Sequence, residues 1–507
     1  MHDVILRGGW LIDGSGGPRR QADLAVDGDR VAGLGDLSAA AAALDIDVAG
    51  KIIAPGFIDA HTHDDSALLR KPEMTAKVSQ GVTTVVVGNC GASLAPLLLS
   101  AWPPLPLDLL GGEENFRFDS FAAYIEALEE TPAATNAAFL IGHTTLRRRA
   151  MGEALDRAAR DSEIAAMQAE VRQAMQAGAT GLSTGLDYAT AVASSTEEVL
   201  ALAEVAGESG GLYVTHMRDY FDKVAESVEE ALEIGRRARL PVIFSHHQAT
   251  GPRNYGKVGE TLRRIEAAMA RQPVSLDAYP YAATSTVIKP ERCIPEIRVV
   301  VTWSNPHPEM VGRELSEIAA LWGCARLEAA ERLRPGGAVY FQLAEADVRE
   351  VLAFPHSMIG SDGLPSDRMP HPRLWGTFPR VLGHYARDIG LFTLEEAVRR
   401  MTGLPAERFG LDGRGVIRDG AFADVTVFDP ETIIDRASFE QPVQQAAGIE
   451  HVFVNGERIW HEGRPTGRRP GRALRRRLAR PTSLAPFADH DGVDGPLTAS
   501  VCQSWVA

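Results

Sequence analysis

Two histidines one residue apart close a short apolar run, Gly56-Phe57-Ile58-Asp59-Ala60-His61-Thr62-His63. On a strand, residues i and i+2 project to the same side, so His61 and His63 can aim both imidazoles at one point beyond the strand end. One such pair is a modest signal, because histidine pairs also arise by chance. Further candidate ligands stand at the ends of other apolar runs. Thr83-Thr84-Val85-Val86-Val87-Gly88-Asn89-Cys90-Gly91 ends in a cysteine and Gly211-Leu212-Tyr213-Val214-Thr215-His216 in a histidine. Pro241-Val242-Ile243-Phe244-Ser245-His246-His247 ends in paired histidines, and Ser357-Met358-Ile359-Gly360-Ser361-Asp362 in an aspartate. Taken singly, each has a bland reading: a hydrogen-bonded core histidine, or a cysteine acting as a small buried hydrophobe. The same placement on five successive runs argues for a metal site. Imidazole and thiolate suit Zn²⁺, and a carboxylate can join them.

Such a set needs parallel strands that end on one face. The middle of the chain alternates short apolar runs with helical patterns, which predicts βα units and a TIM barrel over residues 55–411. Ile164, Met167, Val171 and Met175 recur at helical spacing within residues 163–178, a core stripe rather than a cofactor box. A barrel of eight units needs roughly 250 residues, so residues about 287–350 are expected to form an inserted lid subdomain. Both chain ends read as short β-segments. Val4 to Leu11 forms one strand, with a hairpin around Asp27-Gly28; a strand at Ala423 to Phe428 and a hairpin around Asn455-Gly456 mirror them. These predict a small β-sandwich from residues 1–54 and 412–480. Eight arginines between Arg464 and Arg480 read as a basic surface strip. Residues 481–507, rich in Gly, Asp, Ser and Pro, read as a poorly ordered tail.

With 507 residues, 45% apolar and 23% charged, the chain has the composition of a globular enzyme. A net charge of −15 argues against general nucleic-acid binding. Cys90, Cys293, Cys324 and Cys502 lie far apart, which suits a reducing, cytoplasmic setting with one working thiolate. No signal-peptide pattern and no 18-residue apolar run is seen, so no membrane association is expected.

The chain resembles the amidohydrolase superfamily and, within it, the D-aminoacylases (N-acyl-D-amino-acid deacylases). The resemblance runs from residue 1 to about residue 477. It rests on residues 54–65, Gly88-Asn89-Cys90-Gly91, Gly181-Leu182-Ser183-Thr184-Gly185-Leu186-Asp187-Tyr188, Thr215-His216-Met217-Arg218, Ser245-His246-His247, Asp277-Ala278-Tyr279-Pro280-Tyr281 and Gly360-Ser361-Asp362-Gly363. Many superfamily relatives bridge two metals with a carboxylated lysine on the fourth strand. The comparable run here, Ala179-Thr180-Gly181-Leu182-Ser183, has no lysine, and Cys90 fits the cysteine ligand of the D-aminoacylase branch.

The resemblance implies a zinc-dependent hydrolase that cleaves N-acyl-D-amino acids to a carboxylate and a free D-amino acid. Cys90, His216 and His246 would hold one tight zinc and leave a position open for water. His61, His63 and Asp362 would line a second, weaker or partly occupied site. Asp362 would serve as general base and acid. Arg373 would bind the substrate carboxylate, with Tyr188, Tyr279 and Ser285 nearby. Gln248 stands where many family members have a lysine that assists carboxylate recognition. Lys289 and Arg292 could reach an acidic side chain or lie on the surface. His247 is expected to be a structural neighbour, and His143 is left out of the ligand set. Two alternatives stay open: a dihydropyrimidinase-like amidase, opposed by Cys90 and the missing strand-4 lysine, and a non-catalytic scaffold, opposed by the complete ligand set.

Overall fold

The computed structural model describes residues 1–476. The expected tail at 481–507, with Cys502, lies outside the described residues. Eight parallel strands form a barrel: β1 (Phe57–Asp59), β2 (Val82–Val87), β3 (Asn136–Gly142), β4 (Gly181–Gly185), β5 (Leu212–His216), β6 (Val242–Phe244), β7 (Val274–Ala278) and β8 (Ser357–Ile359). Each pairs in register with the next. Closure comes from β8 against β1: the Ala60 amide donates to Ile359 O at 3.2 Å and the Asp362 amide to His61 O at 2.8 Å. Parallel strands are covered on both faces, so they are buried along their whole length rather than alternately. The wholly buried Val-Thr-Thr-Val-Val-Val of β2 shows this. Outside the strands lie amphipathic helices such as Asp161–Ala177, which buries Met167, Val171, Ala174 and Met175.

The apolar run before His61 is two strands rather than one. Ile52–Pro55 belongs to a seven-stranded sheet and only Phe57–Asp59 belongs to the barrel. Gly56 is the joint, because a Cβ there would overlap the Thr83 side chain. The seven-stranded sheet joins Trp10–Leu11, Arg20–Gln21 and Ile52–Pro55 to Val425–Phe428, Ile449–Val454, Glu457–His461 and Arg464–Pro465. A four-stranded sheet of His2–Arg7, Asp23–Asp27, Arg30–Gly35 and Ala42–Asp47 packs on it through Val4, Leu6, Leu24, Val425 and Phe453. The expected first strand therefore breaks at Gly8-Gly9 and feeds both sheets, and the first hairpin turns at Gly28-Asp29, one residue later than its sequence suggests.

Between β7 and β8 the insertion has its own three-stranded antiparallel sheet, Thr284–Val287, Arg298–Ser304 and Gly336–Phe341, and two helices, Leu315–Trp322 and Arg326–Arg332. These enclose a separate core around Val299, Val301, Leu315, Ile318 and Tyr340. It thus begins at Thr284 and ends at Phe341, because Glu345–Ala353 is the helix preceding β8. Of the described part of the arginine strip, Arg469, Arg472 and Arg475 pair with Glu73, Asp29 and Glu129 and lace this segment to the rest of the molecule.

Candidate active site

Six side chains converge beyond one end of the barrel. His61 and His63 follow β1, Cys90 follows β2, His216 ends β5, His246 follows β6 and Asp362 follows β8. Ligand atoms of His61, His63, Cys90 and Asp362 lie within 4.8 Å of one another, as do those of Cys90, His216 and His246. Cys90 is common to both groups. Its Sγ is 3.2 Å from His61 Nε2 and 3.4 Å from His246 Nε2.

Cys90, His246 and Asp362 adopt left-handed backbone conformations, with φ of 53°, 34° and 48°. For non-glycine residues such geometry costs on the order of 1–3 kcal/mol and persists where the surroundings impose it. Here they do. Gly88, at φ 81°, passes so close to Leu140 O that a Cβ would collide with it. The Gly91 amide donates to Ser183 Oγ at 3.1 Å, which holds the far side of the Cys90 turn. The His246 amide donates to Asp277 Oδ1 at 2.8 Å. The strand-end turns thus aim their side chains inward.

The ring nitrogens are oriented by acids, Asp277 fully buried and Asp187 partly so. His61 Nδ1 is 3.2 Å from Asp277 Oδ1, which leaves Nε2 facing Cys90 and Asp362. His216 Nε2 is 3.4 Å from Asp187 Oδ2. Tyr220 packs edge-on against His216 and tilted against His246. His63 Nε2 lies 3.1 Å from Asp362 Oδ1, whereas Asp362 Oδ2 faces Arg373 Nη1 at 2.8 Å. Burial alone would raise the Cys90 thiol, but His61 and His246 outweigh it and hold the group well below the usual thiol range, as thiolate. Burial likewise opposes ionisation of Asp362, yet Arg373 and His63 hold it well below the usual carboxylate range.

This donor set fits a transition metal. Nδ1 of His63, His216 and His246 are all buried and have no hydrogen-bond partner. Only for His216, whose Nε2 is held by Asp187, does this leave Nδ1 for the centre; His61 and His246 turn Nε2 to the Cys90 thiolate and His63 turns Nε2 to Asp362, so imidazole, thiolate and carboxylate donors gather as zinc requires.

Around this centre stand the expected substrate-side residues. Arg373 is fully buried, donates from Nη2 to Ser285 O at 2.9 Å and lies 4.6 Å from the Tyr279 ring centroid. Tyr279 donates its hydroxyl to Gln248 Oε1 at 2.8 Å. Tyr188 lies tilted against His216 with ring centroids 4.8 Å apart, and its hydroxyl meets Thr286 Oγ1 at 3.1 Å. Ser285 Oγ is buried without a partner. His247 turns away to Thr261 Oγ1 at 2.8 Å, and His143 to Glu198 Oε1 at 3.0 Å. Lys289 and Arg292 both bind Asp187 and are buried, so neither lies on the surface.

The amidohydrolase family model matches residues 46–288 and 306–460. The chain belongs to the amidohydrolase family. It is 55% identical over 477 residues to a D-aminoacylase of Alcaligenes xylosoxydans xylosoxydans, covering 94% of this chain and 98% of the relative. A D-aminoacylase structure with a binuclear metal center superposes with a TM-score of 0.92 at 53% identity, covering 94% of this chain and 100% of that one. An N-acyl-D-glutamate deacylase of Bordetella bronchiseptica, complexed with zinc and a phosphonate mimic of the tetrahedral intermediate, has a TM-score of 0.91 at 46% identity, covering 94% and 99%. Within the family the chain therefore groups with the D-aminoacylases.

Asp187, Asp277, Tyr220 and Lys77 contribute to the site without having been singled out by sequence. Asp187 and Asp277 fall inside the motif stretches, but a carboxylate beside a strand end carries no mark of which histidine it will meet. Among the described residues no helix is long and apolar enough to cross a membrane.

Proposed function

We propose that this chain is a zinc-dependent amidohydrolase that cleaves the linear amide of N-acyl-D-amino acids, releasing a carboxylate and a free D-amino acid. The observation that carries this reading is the shared Cys90 thiolate between two ligand groups, with Asp362 beside one of them. The 55% identity to a D-aminoacylase over nearly the whole chain supports it. In this reading Cys90, His216 and His246 hold the tight zinc, and His61, His63 and Asp362 a weaker second ion. Bound zinc supplies a Lewis acid that polarises a carbonyl and lets water ionise near neutral pH.

The chain's own groups do the rest. Asp362 has one oxygen fixed by Arg373, which leaves Oδ1 turned to the histidines and free to take a proton and return it to the leaving nitrogen. Asp277 and Asp187 hold His61 and His216 in the orientations the centre needs. Arg373, Tyr279 and Ser285 form the wall that orients the substrate carboxylate; Arg373 Nε and Ser285 Oγ are buried with no hydrogen-bond partner. Gln248, bonded to Tyr279, adds a polar group without charge.

The experiment is a hydrolysis screen of N-acetyl-D- and N-acetyl-L-amino acids with metal analysis of the same sample. Turnover confined to D-substrates in zinc-containing protein supports the reading. A preference for L-substrates, or for amides that lack a carboxylate, overturns the substrate assignment.

A further inference from the structure

Lys77 has no surface exposure, although lysine is among the residues least often buried. It sits in the short helix Thr75–Val78, and its ammonium has three donors. All three are used. Nζ donates to Asp59 Oδ2 at 2.7 Å and to Ser361 Oγ at 2.7 Å, and pairs with Asp64 Oδ2 at 3.2 Å. These partners flank the ligands: Asp59 precedes His61 by two residues, Asp64 follows His63, and Ser361 precedes Asp362. The remaining Asp59 oxygen accepts the Ser361 amide at 2.7 Å and the His61 amide at 3.4 Å. Ser361 Oγ also accepts the Gly363 amide at 3.1 Å.

We propose that Lys77 is a positioning residue that sets the separation between the His61/His63 turn and Asp362, and so governs the second metal position and the placement of the general base. This rests on the ligand reading above. The two turns lie about 300 residues apart in sequence, since Ser361 and Asp59 are separated by 302 positions. Direct bonds also join them at β1 and β8, but Lys77 alone among the described side chains grips both sides of the His-x-His turn and the Asp362 turn together. Burial alone would lower its ammonium pKa, but Asp59 and Asp64 outweigh burial and hold it above the ordinary lysine range, so the clamp stays charged. The Cys90/His216/His246 group has no bond to Lys77 or to its three partners.

Two effects of removing the ammonium have opposite signs, and this makes the idea testable. Deleting a buried cation that sits against the residues flanking a cation site strengthens metal binding by removing a Coulomb repulsion. Losing the clamp weakens binding where geometry depends on it. A selective loss of affinity at the His61/His63/Asp362 position therefore cannot come from the charge change.

The test is to titrate metal-free wild-type, Lys77→Met and Ser361→Ala proteins with Co²⁺ alone, following bound metal per chain at each step so that the first, tight equivalent is read apart from the second, with the thiolate-to-cobalt absorption showing that Cys90 binds metal, then to measure kcat and KM on N-acetyl-D-amino acids. Ser361→Ala keeps both ion pairs, so it remains informative if Lys77→Met fails to fold. We expect the first equivalent to bind unchanged, the second to weaken by at least about tenfold, and kcat to fall toward the ~10²-fold that a misplacement of about 1 Å costs, with KM within about twofold. Equal second-site affinity and equal kcat in folded variants would overturn the role of Lys77 while leaving the ligand reading intact. A wild-type protein with no second ion and no thiolate signal would overturn the ligand reading itself, and this inference with it.

Discussion

Asp187→Asn should loosen the insertion far more than loss of either of the cations it holds. One carboxylate at the end of β4 receives Lys289 Nζ at 2.6 Å and the Arg292 guanidinium, both carried by the insertion, and also meets His216 Nε2 at 3.4 Å. Lys289 and Arg292 are 6% and 7% exposed, so they cannot turn to solvent. Removing the single anion leaves two buried cations side by side. Breaking a buried pair from one side costs about 3–5 kcal/mol. At 1.36 kcal/mol per decade, that is roughly a 10²- to 10⁴-fold loss of protection against local opening. Lys289→Met behaves differently. Burial and Arg292 push the Lys289 ammonium down to about 8, so its charge is already poorly tolerated, and the Arg292–Asp187 pair survives its removal. Its cost should stay below about 1 kcal/mol, as for replacement of a charge by an apolar group of similar shape. The assay is native-state hydrogen exchange on peptides covering Arg298–Ser304 and Gly336–Phe341. Asp187→Asn should accelerate exchange there and spare Asp161–Ala177 on the barrel's far side. Unchanged exchange in Asp187→Asn, or a Lys289→Met effect as large, would refute the reasoning.

Asp362→Asn should retain the zinc held by the Cys90 group but lose turnover by about 10²–10⁴-fold, the usual worth of general acid–base catalysis; a loss under tenfold would place proton transfer elsewhere. His247 is pushed down to about 3 by burial first and then by His246. Its folded pKa lies below the unfolded value near 6.5, so the unfolded chain binds the extra proton between those limits and stability falls as pH drops from about 6.5 to about 3. His247→Gln should flatten that slope in acid titrations of unfolding, and an unchanged slope would remove His247 from the account. Gln248→Lys should raise kcat/KM on N-acetyl-D-amino acids but not on amides that lack a carboxylate. An equal change on both would show that position 248 does not face the carboxylate.

The convergence of these candidate ligands was legible because their placement repeats. An apolar run with a histidine, cysteine or aspartate just beyond it recurs at Cys90, His216, His246 and Asp362, and only parallel strands ending on one face make that recurrence useful. The barrel was legible for the same reason, since β2 and β5 are short runs rich in β-branched and aromatic residues, each leading into a candidate ligand. What could not be read was closure. Lys77 and Ser361 are 284 residues apart and Asp187 and Arg292 are 105 apart, and no local pattern relates either pair. The left-handed turns at Cys90, His246 and Asp362 were equally hidden, because glycine advertises such conformations and these residues do not. Arg373 marks a middle case. Its planar fork suggested carboxylate recognition, yet the fold also gives it Asp362 as a partner, a contact set by how the turn after β8 folds over the barrel mouth.

The most direct test of the central claim is zinc content and activity in Cys90→Ala beside the wild type. The thiolate is shared by both ligand groups, so its loss should strip most tightly held zinc and abolish hydrolysis of N-acetyl-D-amino acids, with the fold kept by circular dichroism. Full zinc content with normal turnover in Cys90→Ala would contradict the account; so would retained zinc with only a lower melting temperature, which would make Cys90 a buried core residue.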